Sequence, residues 1–328
     1  SALPVDYRHW GARTGGLMDR NRIPLSAALE GFFIAAHARR LSRHTLRDYD
    51  NTFRRFEEFL ERDPPLSEIG AAEVTAFLGS LEHLSAKTLL NYHTGLAALW
   101  TWAVKERIVD EHVVRRVERP KPEQREIVPY SLNDIKAMLE ACDRSRDYVR
   151  PGKRRCNHSR PTALRDRAII LLLVDTGMRA SELCSLRLQN LDLKNSRLLV
   201  MGKGDKERRV QISPRTAQAI WRYLSTREDA SIPRAFLFAS QDGFPLSRHS
   251  LRRMLKRTGD RAGVPGVNVH RFRHTFAIQL LRNGGNIFAL KRLLGHSSLE
   301  MVDVYLAIAQ ADVEAVHQEA SPVTNWGL

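Results

Sequence analysis

Apolar residues recur at intervals of three and four through residues 24–112, and this period constrains the fold more than any other feature of the chain. Leu46, Tyr49, Phe53, Phe56 and Leu60 form the clearest stripe. Such spacing lines one face of an α-helix, whereas a strand would need alternation at every second residue. Three neighbouring stretches repeat the pattern. Leu25, Leu29, Phe32 and Phe33 fall in 24–41, Val74, Phe77, Leu78 and Leu81 in 71–84, and Leu89, Tyr92, Leu96 and Leu99 in 85–104. Ser85 is the expected N-cap of the last one. Four such helices can bury their stripes only against one another, so the spacing predicts a helical bundle.

The pattern breaks at 115–129, which holds three prolines and is mostly charged. Proline keeps the preceding residue out of the helical region, so this stretch reads as an extended linker. A length of 328 residues fits two domains. Beyond the linker, Ser131 opens a helix over 131–143, an apolar helix runs over 163–176 to Gly177, and a short helix covers 180–187. A small antiparallel sheet is predicted from Asp192, 197–201 and 208–212, with a Gly-containing turn at 202–207. A further strand is predicted at 235–239 and a basic helix at 246–263. The fold class is therefore mainly α: a helical N-terminal domain, then an α+β domain with a small antiparallel sheet. The expected boundaries are a flexible leader at 1–22, the helical domain at 23–114, the linker at 115–129 and the second domain at 130–328. Residues 144–161 form a basic loop without periodicity.

Charge narrows the function. Residues 1–125 carry 19 basic and 17 acidic side chains, and residues 126–328 carry 33 and 20. An excess of this size in one half favours a polyanionic partner. A membrane surface is the less favoured partner: the longest apolar run, 168–174, is far too short to span a bilayer, and there is no lipidation motif. Three cysteines, with no CxxC pair, fit a reduced cytoplasmic protein without a structural zinc site.

Five segments carry candidate chemistry: "DTGMRASEL", "MGKGDKERR", "HRFRHTF", "LLGHSS" and "VDVYL". They supply Arg179, Lys203, His270, Arg273, His296 and Tyr305. Attack on a phosphodiester spreads negative charge over the non-bridging oxygens, and guanidiniums present a fixed donor fork to them. A base must take the nucleophile's proton and an acid must supply one to the leaving oxygen. His270 and Arg273 stand at i and i+3, so one helical turn presents both to a single phosphate. Tyr305 is a candidate covalent nucleophile; a phosphotyrosyl link would conserve the bond energy and need no ATP. Singly, each residue has an ordinary explanation as turn, surface or core. Their ordered combination does not.

That combination resembles the tyrosine recombinase (phage-integrase-like) family over roughly 20–320. The resemblance rests on Arg in "TGMRASEL", Lys in "GKGDKER", "HRFRHTFA", "LGHSS" and a Tyr nine residues after that His. Phe272 stands where the family usually has Leu. The resemblance implies that Arg179 and Arg273 clamp the scissile phosphate. Lys203 protonates the leaving 5′ oxygen, His270 assists proton transfer, His296 hydrogen-bonds the phosphate and Tyr305 forms a 3′-phosphotyrosyl link. Glu182 is implied to support the arginines. His274 is read as structural, and Lys206 as a weaker rival to Lys203. The helical domain resembles the family's core-binding domain, which with the catalytic domain forms a C-shaped clamp around DNA. Arg43, His44, Lys87, Arg248, Arg252 and Arg253 are the expected DNA contacts.

The partner implied is double-stranded DNA with inverted half-sites. Four copies of the chain, or copies with a related recombinase, would exchange strands through a Holliday junction. The helix at about 309–328 would pack on a neighbour. No metal or other cofactor is expected, and the location is cytoplasmic and nucleoid-associated. The segment ahead of residue 24 is short for an arm-binding domain, which favours the Xer-like or transposon-encoded type. Two alternatives stand beside this reading: a type IB topoisomerase-like enzyme, and a DNA-binding regulator that does not cleave.

Overall fold

The computed structural model describes residues 22–122, 127–143, 158–202, 207–240, 243–295, 305, 321, 323 and 326. The chain divides into two compact units, Ser1–Arg125 and Glu126–Leu328.

The first unit is built from the four predicted helices: α1 (Leu25–Ala38), α2 (Arg43–Leu60), α3 (Ala71–Ser80) and α4 (Ala86–Lys105). Ser42 and Ser85 cap α2 and α4 by accepting from the backbone N–H of Thr45 and Thr88. The apolar stripes meet in a core of Phe32, Phe53, Phe56, Phe77, Leu96, Leu99 and Trp100. Its rings meet edge to face, Phe32 on Phe53 at 5.3 Å and Phe56 on Phe77 at 5.1 Å. That geometry sets the positive ring edge on a negative face. Val114 and Val117 are buried in the same core, so the chain stays packed on this unit through Val117, inside the stretch read as linker.

The second unit begins with α5 (Leu132–Glu140), capped reciprocally by Ser131 and Asp134. Next comes α6 (Ala163–Thr176), whose Ala168, Ile169, Ile170, Leu172 and Leu173 lie in the core. Asp166 on α6 is fully buried and ion-paired to Arg160 at 2.6 Å and Arg165 at 2.8 Å. A buried carboxylate is tolerable only with such partners. The short α7 (Ala180–Ser185) follows, then β1 (Leu191–Asp192), β2 (Arg197–Met201) and β3 (Glu207–Gln211). The sheet is antiparallel in the order β1-β2-β3, pairing Leu198 with Val210 and Val200 with Arg208. Leu198, Val200 and Val210 face the core, as period two requires. The unit is completed by α8 (Pro214–Leu224), α9 (Arg248–Ala262), α10 (Val269–Arg282) and α11 (Ile287–Leu294).

One predicted element is absent. Residues 235–239 make isolated bridges, Arg187 to Phe236 and Ala239 to Pro245, and no strand. Pro233 and Pro245 flank the segment and lack the N–H that would extend a ladder, so the apolar residues Leu237 and Phe238 fill the core from a loop instead. Most of the leader, of the basic loop at 144–161 and of the helix expected at about 309–328 lies outside the described residues.

Candidate active site

The site begins at a glycine. Gly177 ends α6 with φ of +57°, and a Cβ there would come within 2.6 Å of the Phe276 ring. The left-handed turn this glycine allows sends the chain into α7 with Arg179 at its N-cap. Glu182, in the first turn of α7, caps the helix by accepting from Arg179 N–H at 2.8 Å. Its other oxygen accepts from Arg179 Nη1 at 3.0 Å.

Glu182 is also gripped from the sheet. Arg208 on β3 donates to both carboxylate oxygens, at 2.7 and 2.9 Å, and through Nε to the Leu293 carbonyl at 3.0 Å. Burial opposes ionisation of Glu182, but the hydrogen bonds from Arg208 and from Arg179 N–H outweigh it and hold the carboxyl below its ordinary value.

Arg273, on α10, is 5% exposed. It donates to the Gly177 carbonyl at 2.9 Å and to the Leu294 carbonyl at 2.8 Å. Arg179 reaches toward the same end of α11, with 3.4 Å to Leu294 O and 3.5 Å to Gly295 O. Burial, then the charge of Arg179, push the Arg273 guanidinium down to about 10, so it stays cationic at neutral pH. Arg179, Arg208 and Arg273 thus converge where Glu182 is the carboxylate. The surplus positive charge, partly desolvated, suits a bound anion such as phosphate.

Tyr305 is 5% exposed and packs with Ala277, Ile278, Leu290 and Leu294. Burial raises its phenol above the ordinary value, and Arg273 and Arg179 offset only part of that. Its hydroxyl lies 2.9 Å from Nδ1 of His274, the rings 5.5 Å apart. No thiol competes as nucleophile among the described residues. Burial holds Cys142 at about 12 and Cys184 at about 11.

The structure therefore brings Arg179, Glu182, Arg273 and Tyr305 together. His270 is exposed on the first turn of α10, one turn before His274. Lys203, Lys206 and His296 lie outside the described residues, although β2 and β3 flank the first two and Gly295 precedes the third. Motif reasoning missed two side chains. Val210 and Ile212 point inward, so Arg208 two residues earlier shares their face, and a charge on the core face of a strand is itself a signal. His274, read as structural, sits at i+4 from His270 and beside Arg273, with its Nδ1 against the Tyr305 hydroxyl.

The expected DNA contacts are all exposed. Arg43 and His44 open α2, Lys87 opens α4, and Arg248, Arg252 and Arg253 lie on α9. His44 is 3.5 Å from Asp48. Arg253 lines a cleft of about 400 Å³ with Arg160, Arg165 and Arg257. No described helix is long and apolar enough to cross a membrane.

Comparison with known proteins adds an independent line. The sequence model of the phage integrase family matches residues 130–312, and that of the phage integrase N-terminal SAM-like domain matches residues 29–110. The tyrosine recombinase XerC of Mycobacterium sp. (strain JLS) is 30% identical over 292 residues, 86% of this chain and 93% of its own length. Among solved structures, the Tn1549 transposon integrase in complex with a circular intermediate DNA has a TM-score of 0.71 at 19% identity, covering 90% of this chain and 99% of that one. A lambda integrase tetramer bound to a Holliday junction has a TM-score of 0.68 at 19% identity, covering 87% and 78%. At such identities the two structures speak for the fold.

Proposed function

The chain belongs to the phage integrase family, and from that premise we propose that this site-specific tyrosine recombinase cuts and rejoins duplex DNA through a 3′-phosphotyrosyl link on Tyr305. One observation carries the assignment of the nucleophile. Tyr305 is a buried phenol whose hydroxyl lies 2.9 Å from Nδ1 of His274, within the field of Arg179 and Arg273. A phenol packed only for its apolar area has no need of that charge.

Arg179 and Arg273 bind the non-bridging oxygens of the scissile phosphate, with Glu182 holding Arg179 in place. Lys203, between β2 and β3 in the sequence, protonates the leaving 5′ oxygen. His296 donates to the phosphate, and His270 assists proton transfer. The bond energy stays in the phosphotyrosyl ester, so religation by a 5′-hydroxyl needs no nucleotide and no metal.

The same reading extends to assembly. Both units contact duplex DNA, with Arg43, His44 and Lys87 in one and Arg248, Arg252 and Arg253 in the other supplying phosphate contacts. Four protomers act on inverted half-sites through a Holliday junction, in the cytoplasm at the nucleoid, and a C-terminal helix at about 309–328 joins neighbours. The proposed domains are 23–114 for core binding and 130–328 for catalysis, joined by 115–129. The reaction serves integration and excision of a mobile element or the resolution of DNA dimers.

The test is capture of a covalent complex. The protein is incubated with a nicked duplex library randomised across its core and run on a denaturing gel, beside Tyr305→Phe. Trapped DNA that needs Tyr305 identifies both nucleophile and target. If DNA that the protein binds yields no adduct, Tyr305 is not a nucleophile and the protein is a regulator that binds without cleaving. Relaxation of plasmid without any preferred site would instead indicate the topoisomerase-like activity.

A further inference from the structure

Tyr305 needs a base, and the structure supplies one to which the motif reading assigns no chemistry. A neutral phenol has one proton to donate. The atom that accepts it decides both where the hydroxyl points and where the proton goes on attack. Among the described residues, that hydroxyl is hydrogen-bonded to Nδ1 of His274, at 2.9 Å. The two rings are held at 50° to each other with centroids 5.5 Å apart. Both are held in place by packing: His274 is half-buried on α10, and Tyr305 is inserted between α10 and α11. His270 is exposed one turn earlier and makes no hydrogen bond to Tyr305 among the described residues.

We propose that His274 both positions Tyr305 and accepts its proton during strand cleavage. The inference rests on the reading of Tyr305 as the nucleophile. In the cleavage step Tyr305 Oη bonds to phosphorus while the bond from phosphorus to the 5′ oxygen breaks. The phenolic proton passes to His274 Nδ1, and the 5′ oxygen takes a proton from Lys203. On religation the 5′-hydroxyl returns its proton to Lys203 and attacks phosphorus. The tyrosine oxygen then leaves with the proton held by His274. The cycle closes with no net proton change.

The surroundings of His274 fit an acceptor. Burial, then the charges of His270 and Arg273 on the same helix, lower its basicity below the ordinary 6.5 and keep it neutral at neutral pH. From the segment that carries the nucleophile, Tyr305 faces it, and Arg179 acts on Tyr305 from the start of α7. With its one ring proton on Nε2, the Nδ1 lone pair is free to receive.

The test measures single-turnover formation of the covalent complex by the full chain, on the duplex captured above, from about pH 5.5 to 9. Wild type, His274→Ala and His274→Asn are compared, with DNA binding followed by gel shift. Wild type should slow as the pH falls below 6.5, because a protonated His274 cannot accept. His274→Ala should bind DNA normally, cleave about 10²-fold more slowly and lose that acid limb. His274→Asn should recover part of the rate, since its amide oxygen can hold the hydroxyl, but none of the pH dependence. In DNA-free protein the Cζ resonance of Tyr305 should move as His274 titrates, and should not in either variant. If His274→Ala retains the wild-type rate and acid limb, the proposal is overturned while the nucleophile stands. If wild type makes no adduct dependent on Tyr305, it is the nucleophile that fails.

Discussion

Among the described residues, the carboxylate of Glu182 lies among three guanidiniums, and each partner depends on the others. Removing Arg208 leaves Glu182 with Arg179 alone in a site where the carboxylate is 3% exposed. Breaking a buried pair in this way costs about 3 kcal/mol or more. Arg208→Ala should therefore lower the urea midpoint and, because Arg179 loses its brace, slow cleavage as well. Arg208→Lys keeps the charge but not the two-pronged fork, and should recover stability more than rate. The pH dependence has a definite sign. The folded-state pKa of Glu182 is depressed, so its stabilisation is complete above the ordinary value of 4.5 and is lost as pH falls through the lower folded value. The stability gap between wild type and Glu182→Gln, followed by thermal melts, should be largest above pH 4.5 and close below it. A gap that did not change with pH would mean that the carboxylate is not ionised in the fold.

The turn between α6 and α7 converts this chemistry into a backbone requirement. Gly177 must hold a positive φ two residues before Arg179, and its missing side chain lets Phe276 approach. An alanine there pays about 1–2 kcal/mol for the left-handed conformation alone, before the clash. Gly177→Ala should lower the melting temperature and displace Arg179, so cleavage should fall more than DNA binding does. The helices of both units were legible because their stripes are long and their caps conventional; Ser85, Ser131 and Gly177 stand where the sequence predicts boundaries. Residues 235–239 misled for a physical reason: a short apolar run reads alike whether it fills a core as strand or as loop, and the flanking prolines decide. The site was legible where residues form spaced motifs, as with Arg179, Arg273 and Tyr305. It was not legible where a partner comes from another element. Arg208 reaches Glu182 across 26 positions, and His274 reaches Tyr305 across 31.

The charge of the whole molecule is divided unevenly, and that division has consequences for binding. Residues 126–328 hold 33 basic against 20 acidic side chains, whereas the first 125 residues are nearly balanced at 19 against 17. Affinity for duplex DNA comes largely from counterions released as cations neutralise phosphates, so the logarithm of affinity falls linearly with the logarithm of salt. The slope should therefore be set mainly by the second unit. On α9, Leu251, Met254 and Leu255 anchor one face in the core, which leaves Arg248, Arg252 and Arg253 exposed on a rigid support. Each arginine that contacts a phosphate contributes about 0.9 to the slope. Replacing all three by alanine should lower its magnitude by roughly 2–3, measured by fluorescence anisotropy across a salt series. The triple change Arg43→Ala, His44→Ala and Lys87→Ala should lower it by about 2, the share of Arg43 and Lys87 at about 0.9 each. Both sets lie outside the cluster around Glu182, so cleavage measured at saturating protein should survive either change. If the α9 variant keeps the full slope, the excess charge of the second unit is a solvated surface and the phosphates are met elsewhere.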